Sequence, residues 1–274
     1  MNMDKNAPIG IFDSGVGGLT VAREIMRQMP EERIVYFGDT ARVPYGSKSR
    51  ETIIKYSRQI VRFLLTKQVK AVVIACNTAS AYAMDAVEEV CKLPTIGVVK
   101  PGARVAAEAT QNQRIGVIGT EGTISSGLYP ALIHQFDPQI EVIGKACPLF
   151  VPLVEEGWLH DPLTEEVVKR YLDSMKQEKV DTLVLGCTHY PLLRSMIRKV
   201  MGEGVNLVNP AYETAVGLRR MLEFRDMTNE GRLDEGVDKY QFYVSDSPER
   251  FQAFADSILP CTAEHTEVVN IEEY

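Results

Sequence analysis

The sequence has no excess of basic residues, no long apolar run and no Cys-x-x-Cys pair, and each absence removes a class of function. Asp and Glu outnumber Lys and Arg by 37 to 30, the net charge is −7, and no basic stripe runs along the 274 residues. Phosphate backbones are bound by clustered Lys and Arg, so nucleic acid is not expected as a partner. No apolar stretch approaches the roughly 20 residues that span a bilayer, so no membrane association is expected. Residues 1–8 lack the charged and apolar regions of a secretory leader, which points to a cytoplasmic protein. Five cysteines make an odd set. Neither a disulfide framework nor a metal site is expected, and reduced thiols are left free for chemistry.

What is present reads as a soluble α/β protein. Hydrophobic residues at 45% against 24% charged supply a full core, and the length suits two small domains or one large α/β unit. Strands are predicted at residues 7–12, 33–37, 69–74 and 95–99. Between them lie helices from Leu19 to Met29, around Ile53, Ile60, Val61 and Leu64, and from Cys76 to about Cys91. A helix led by Pro101 runs to about Thr110. At Arg114 the chain starts over, residues 114–124 matching residues 8–15 as strand, small-residue turn and helix start.

The second half is predicted to hold strands at 140–144, 180–185 and 205–208. A loop or short helix follows Pro148, a helix capped by Asp161-Pro162 runs to about Glu178, and another helix spans residues 192–201. A tail then supplies a helix at 211–224, a polar connection at 225–238, a strand at 240–244, a helix at 248–258 and a last strand near Val268. Alternating strands and helices imply parallel sheets. The expected fold is α/β, two pseudo-symmetric parallel-sheet domains with the active site in the cleft between them. One domain would be residues 1–99 with 210–274, and the other residues 100–209.

Two stretches echo each other across these halves: Val72-Val73-Ile74-Ala75-Cys76-Asn77-Thr78 and Val184-Leu185-Gly186-Cys187-Thr188-His189. Each is an apolar strand ending in a small residue and a cysteine, at the carboxyl edge where open α/β sheets bind ligands. The polar residues that follow sit at the start of a helix, whose free N–H groups attract carboxylates. A free cysteine is often only a buried core residue. Two in matched positions argue for chemistry, whereas Cys91, Cys147 and Cys261 have no such context.

Two thiols facing one cleft can remove a proton from one face of a carbon acid and return it on the other. A free thiol titrates near pH 8.5, so both protonation states are within reach. Asp13, at the end of the first strand, would sit beside Cys76, and His189 follows Cys187; both can manage protons. A cysteine hydrolase would use Cys187 and His189 but leave Cys76 idle. A noncatalytic carboxylate-binding module gives no reason for paired thiols. Gly15-Val16-Gly17-Gly18, with Asp39 after the next strand, is similar to a dinucleotide fingerprint, but its third glycine would fall at Thr20 and Asp13 would face the pyrophosphate. No nicotinamide or flavin is expected.

The chain resembles the glutamate racemases of the aspartate/glutamate racemase family, on four ordered motifs covering nearly its whole length. They are Gly10-Ile11-Phe12-Asp13-Ser14-Gly15-Val16-Gly17-Gly18-Leu19, Tyr36-Phe37-Gly38-Asp39 with Pro44-Tyr45-Gly46, Ala75-Cys76-Asn77-Thr78-Ala79-Ser80, and Gly186-Cys187-Thr188-His189-Tyr190-Pro191-Leu192. The resemblance implies cofactor-independent interconversion of L- and D-glutamate, supplying D-glutamate for peptidoglycan synthesis. It implies Cys76 as the base for D-glutamate and Cys187 as the base for L-glutamate, with Asp13, His189 and Glu155 assisting. It further implies that Asp13, Ser14, Tyr45, Gly46, Asn77, Thr78, Thr120, Thr188 and His189 hold the substrate. Many relatives carry Asp where this chain has Asn209. Aspartate racemases use a similar cysteine pair, which keeps a shorter diacid as the alternative substrate. A homodimer is the expected assembly.

Overall fold

The computed structural model describes residues 4–231 and 238–274. Residues 1–3 at the amino terminus and 232–237 of the polar connection lie outside the described residues. The first sheet is built from β1 (Ile9–Asp13), β2 (Ile34–Gly38), β3 (Ala71–Ile74) and β4 (Thr95–Gly97), separated by α1 (Leu19–Gln28), α2 (Arg50–Thr66) and α3 (Asn77–Cys91). The chain leaves it through α4 (Val99–Ala109). A second sheet follows from β5 (Arg114–Gly119), β6 (Glu141–Ala146), β7 (Thr182–Gly186) and β8 (Asn206–Val208). Its helices are α5 (Glu121–Ser125), α6 (Leu128–Phe136), α7 (Phe150–Glu155), α8 (Pro162–Gln177) and α9 (Arg194–Met201). The tail comprises α10 (Pro210–Phe224), β9 (Tyr240–Val244), α11 (Pro248–Ile258) and β10 (Thr266–Val268).

Every strand pairing is parallel, and the strand orders are β10-β9-β2-β1-β3-β4 and β6-β5-β7-β8. Within the first sheet, the order β2-β1-β3-β4 repeats the whole of the second. β9 pairs with β2, so the tail enlarges the first sheet.

Side-chain alternation explains why the central strands read as unbroken apolar runs. Ile9, Ile11, Ile34, Tyr36, Ala71 and Val73 point into a core shared with α1, α10 and α11. Phe12, Val35, Phe37, Val72 and Ile74 point into one shared with α2 and α3. Both faces of a parallel sheet are covered, so polar alternation is lost. The second sheet does the same, with α7, α8 and α9 on one face and α4 and α6 on the other.

Local rules set several boundaries. Asp161 Oδ1 accepts the Leu163 N–H at 2.7 Å and Pro162 opens α8. Asn209 does the same for α10, its Oδ1 accepting the Ala211 N–H at 3.1 Å with Pro210 next. Asparagine and aspartate are equivalent caps, so the substitution at 209 is conservative in this role. Helix α4 begins at Val99, ahead of Pro101, and β4 stops at Gly97 rather than 99, so the helix starts two residues early at the expense of the expected strand. Among the described residues, no helix is long and apolar enough to cross a membrane.

Candidate active site

The carboxyl ends of β1, β3, β5 and β7 converge on one cavity of about 50 Å³. Its lining includes Ser14, Tyr45, Gly46, Cys76, Asn77, Thr78, Thr120, Glu155, Cys187, Thr188 and His189. Cys76 and Cys187 are each 6% exposed and come from different sheets. Asp13 is the one expected residue that does not line the cavity; it lies fully buried behind it, at the end of β1.

Cys76 is the N-cap of α3, and its sulfur accepts the Ala79 N–H at 3.5 Å. Burial pushes this thiol up to about 12, and the neighbouring Asp13 carboxyl adds to the rise; the Ala79 N–H and the nearby Ser14 hydroxyl oppose it. Burial also raises the Asp13 carboxyl, against the pull of His189 and of backbone N–H groups. Asp13 Oδ2 accepts the Gly15 N–H at 3.0 Å, while Oδ1 is buried without a partner. The N-cap of α1 is Gly18, so Asp13 is free of the helix-capping role. A buried thiol and a buried carboxyl side by side favour sharing protons over both being charged.

The second cysteine is served differently. Cys187 is followed by a tight helical turn, Tyr190–Leu193, before α9; the helix expected at 192–201 is α-helical only from Arg194, its first two residues belonging to the turn. His189 Nδ1 lies 3.8 Å from the Cys187 sulfur, and its Nε2 lies 3.1 Å from Glu155 Oε1. Burial alone would lower the imidazole, but its bonds to Cys187 and Glu155 outweigh burial and raise it. The same contact lowers Glu155 against its partial burial. Arg250 of α11 closes the row, its Nη2 3.4 Å from Glu155 Oε2.

Polar bonds cross between the sheets at the cavity. The Tyr129 hydroxyl donates to Asn77 Oδ1 at 2.8 Å, and the Thr78 hydroxyl lies 2.8 Å from that of Thr120. The glycine-rich turn crosses the other way. A Cβ on Gly17 would fall 2.3 Å from Thr188 Oγ1 and 2.5 Å from the His189 ring, so only glycine allows the turn to press against the second cysteine motif. That contact is the physical use of the turn that a dinucleotide would otherwise have claimed.

Comparison with known proteins decides the family. The model of the Asp/Glu/hydantoin racemase family matches residues 14–216. A glutamate racemase of Geobacter metallireducens is 49% identical over 243 residues, 89% of each chain. One of Syntrophus aciditrophicus is 47% identical over 94% of this chain and 96% of its own. The chain belongs to the glutamate racemases of that family. The crystal structure of the Francisella tularensis glutamate racemase in complex with D-glutamate superposes with a TM-score of 0.91 at 39% identity, covering 98% of this chain and all of that one.

Sequence reasoning named the two cysteines and the polar residues that gather with them at the cavity, but not the residues that buttress them. Tyr129 and Thr123 lie in no motif, and Tyr36 lies in one without an assigned role; Tyr36 donates to the Gly15 carbonyl at 2.9 Å and Thr123 lies 3.2 Å from Thr78. Their only signal is a polar atom inside an apolar stretch, which becomes informative once its partner in space is known. Cys147 stays outside the cavity: it is buried, its sulfur directed to the Lys145 carbonyl at 3.7 Å.

Proposed function

We propose that this protein racemises glutamate by two-base proton transfer between Cys76 and Cys187. The observation that carries the reading is one cavity lined by two buried thiols from equivalent strand ends, each with its own proton partner. In the L-to-D direction, the Cys187 thiolate takes the α-proton and becomes a thiol, leaving the electron pair on the α-carbon and its carboxylate. The Cys76 thiol then delivers its proton to the opposite face. Return to the starting state moves one proton from Cys187 back to Cys76. Asp13 and His189 are the groups that store it, and Glu155 holds His189.

The carbanion must be stabilised where its charge develops. Asn77 and Thr78 at the start of α3 supply a helix N-terminus and side-chain donors for a carboxylate. Ser14, Gly46, Thr120 and Thr188 complete a shell of hydroxyl and backbone donors around the remaining polar groups of the substrate. Tyr45 contributes through its ring and backbone, because its hydroxyl donates to Asp39. No cofactor enters this scheme.

Residues 1–99 with 210–274 and residues 100–209 act as two domains closing on the substrate, a division supported by the two sheets. The protein works in the cytoplasm as a homodimer, the commonest closed assembly, and its D-glutamate feeds peptidoglycan synthesis.

The test is the fate of the α-hydrogen in heavy water without added cofactor. Deuterium entering the α-position together with inversion, from either glutamate enantiomer, is the expected result. Exchange with aspartate but not glutamate would move the reading to the shorter diacid. Absence of exchange with both would sink the two-base mechanism.

A further inference from the structure

A buried cluster outside the cavity ties the turn that carries Tyr45 and Gly46 to the end of the chain. Asp39, directly after β2, is wholly buried, and Arg42 is 10% exposed at its side chain. Arg42 Nε donates to both Asp39 oxygens at 3.0 and 2.8 Å. Its Nη1 donates to Gln59 Oε1 at 2.7 Å and to Glu272 Oε1 at 3.0 Å, while Gln59 Nε2 donates to Glu272 Oε2 at 3.2 Å. The guanidinium lies over the Tyr56 ring, 3.9 Å from its centre. Asp39 also accepts from the Ser245 hydroxyl at 2.9 Å and from the Tyr45 hydroxyl. Asp39 and Arg42 together thus join the turn after β2 to three distant segments: α2, the end of β9 at Ser245, and the end of the chain at Glu272.

The Asp39 carboxylate orients the substrate turn. Tyr45 is 1% exposed and lines the cavity. Its neighbour Gly46 presses on the second sheet so closely that a Cβ would lie 2.7 Å from Thr120 Cβ. A turn pinned on one side by Asp39 and on the other by Thr120 has one position. Surface ion pairs do little, but a shielded, forked and stacked guanidinium fixes geometry as well as charge. Arg42 Nη2 remains buried without a partner, a cost that persists in a cluster shaped for more than stability.

We infer that Arg42 is a positioning residue for substrate binding: through Asp39 it fixes the Tyr45–Gly46 turn, and Glu272 locks Arg42 in place. The inference rests on the racemase reading and extends the substrate machinery to residues outside the cavity. Lysine keeps the charge of Arg42 but loses its fork. Arg42→Lys is expected to raise KM for both glutamate enantiomers about tenfold with kcat within about twofold, as misplaced binding groups do. Tyr45→Phe, which cuts the same chain one step later, is expected to raise KM similarly. The double variant is expected to be no worse than the worse single one, because both act through Asp39.

Additive KM effects would overturn the inference, as would an unchanged KM in Arg42→Lys whatever its melting temperature. Should that variant fail to fold, Glu272→Gln is read instead, since its carboxylate is 57% exposed. A KM rise of about threefold is expected from loosening Arg42 alone, and an unchanged KM overturns the inference. An unaltered protein that turns over no glutamate would instead bring down the racemase reading itself.

Discussion

Cys76 and Cys187 occupy matching strand ends, yet the two faces of the cavity are built from different chemistry. Cys76 caps an α-helix beside Asp13, a carboxyl sealed from water, and both groups are pushed up by burial. Cys187 precedes a tight turn and is linked through His189 and Glu155 to Arg250, whose side chain is 66% exposed. One thiol lies beside a carboxyl closed off from solvent. The other has a polar row leading to solvent. The repeated backbone fixes where the sulfurs sit, and the side chains set against each, Asp13 on one face and His189 with Glu155 on the other, make the faces differ.

Removing either thiol tests this contrast with the largest effect. Cys76→Ala and Cys187→Ala should each lower kcat/KM by about 10³ or more, since a transition-state proton transfer is lost. The loss must be equal in both directions, because enantiomers have an equilibrium constant of unity and kcat/KM cannot fall one-sidedly. Handedness is read from exchange instead. In Cys187→Ala, deuterium should enter D-glutamate with retention through Cys76, and in Cys76→Ala it should enter L-glutamate through Cys187. Exchange of both enantiomers by one variant would erase the distinction between the faces.

Asp13 is next. Asp13→Asn should lower kcat by about 10², the low end for a proton-transfer group. It should also stabilise the fold as pH rises. Burial raises the folded carboxyl above its unfolded value, so the native state binds the proton more tightly and loses stability as pH climbs through that interval. Asparagine has no such proton. Thermal melts of the two proteins should coincide near pH 4 and diverge in favour of Asp13→Asn at pH 7–8. A variant less stable at pH 8 would contradict the sealed-carboxyl picture.

On the other face the expected change is smaller and concerns pH. Contacts with Cys187 and Glu155 raise His189, and the stabilisation this brings is complete below the ordinary imidazole value and lost as pH rises through the raised one. Glu155→Gln removes an anion from that balance. The alkaline limb of kcat should move down by about one pH unit, with kcat at neutrality reduced about tenfold or less. Asp13→Asn should leave that limb in place. An unmoved limb in Glu155→Gln would mean that the polar row does not govern His189.

The architecture was legible because buried parallel strands print themselves as apolar runs, and the repeated strand-cysteine pattern around Cys76 and Cys187 marked the site. Asp13 could be placed because it ends a strand and His189 because it follows Cys187, whereas Thr120 came from the family resemblance. Leu192 and Leu193, expected at the start of a helix at 192–201, belong instead to the tight turn before α9, because apolar spacing fits either. Tyr129 and the contacts of Arg42 were illegible for a deeper reason: their work is done with partners far along the chain, such as Asn77 and Glu272. Gly17 shows the same limit, its glycine required by Thr188 and His189 rather than by any local motif.

Thr20 gives the smallest effect and isolates support from chemistry. Where a dinucleotide fingerprint would have its last glycine, the Thr20 hydroxyl faces the Gly17 carbonyl at 3.0 Å and the Thr188 carbonyl at 2.9 Å, joining the glycine turn to the second cysteine motif. On the opposite side Asn77 and Tyr129 make the reciprocal tie. Each sheet therefore braces the other sheet's cysteine. Thr20→Val keeps the shape and removes one buried hydrogen bond, so denaturant unfolding should show a loss of about 1 kcal/mol. Thr20→Ser should restore most of it. Because Thr20 touches no reacting atom, racemisation should stay within about twofold at neutral pH. A larger fall, with stability intact, would show that the brace sets the Cys187 face rather than merely holding it, and the two faces would then differ in mechanics as well as in proton chemistry.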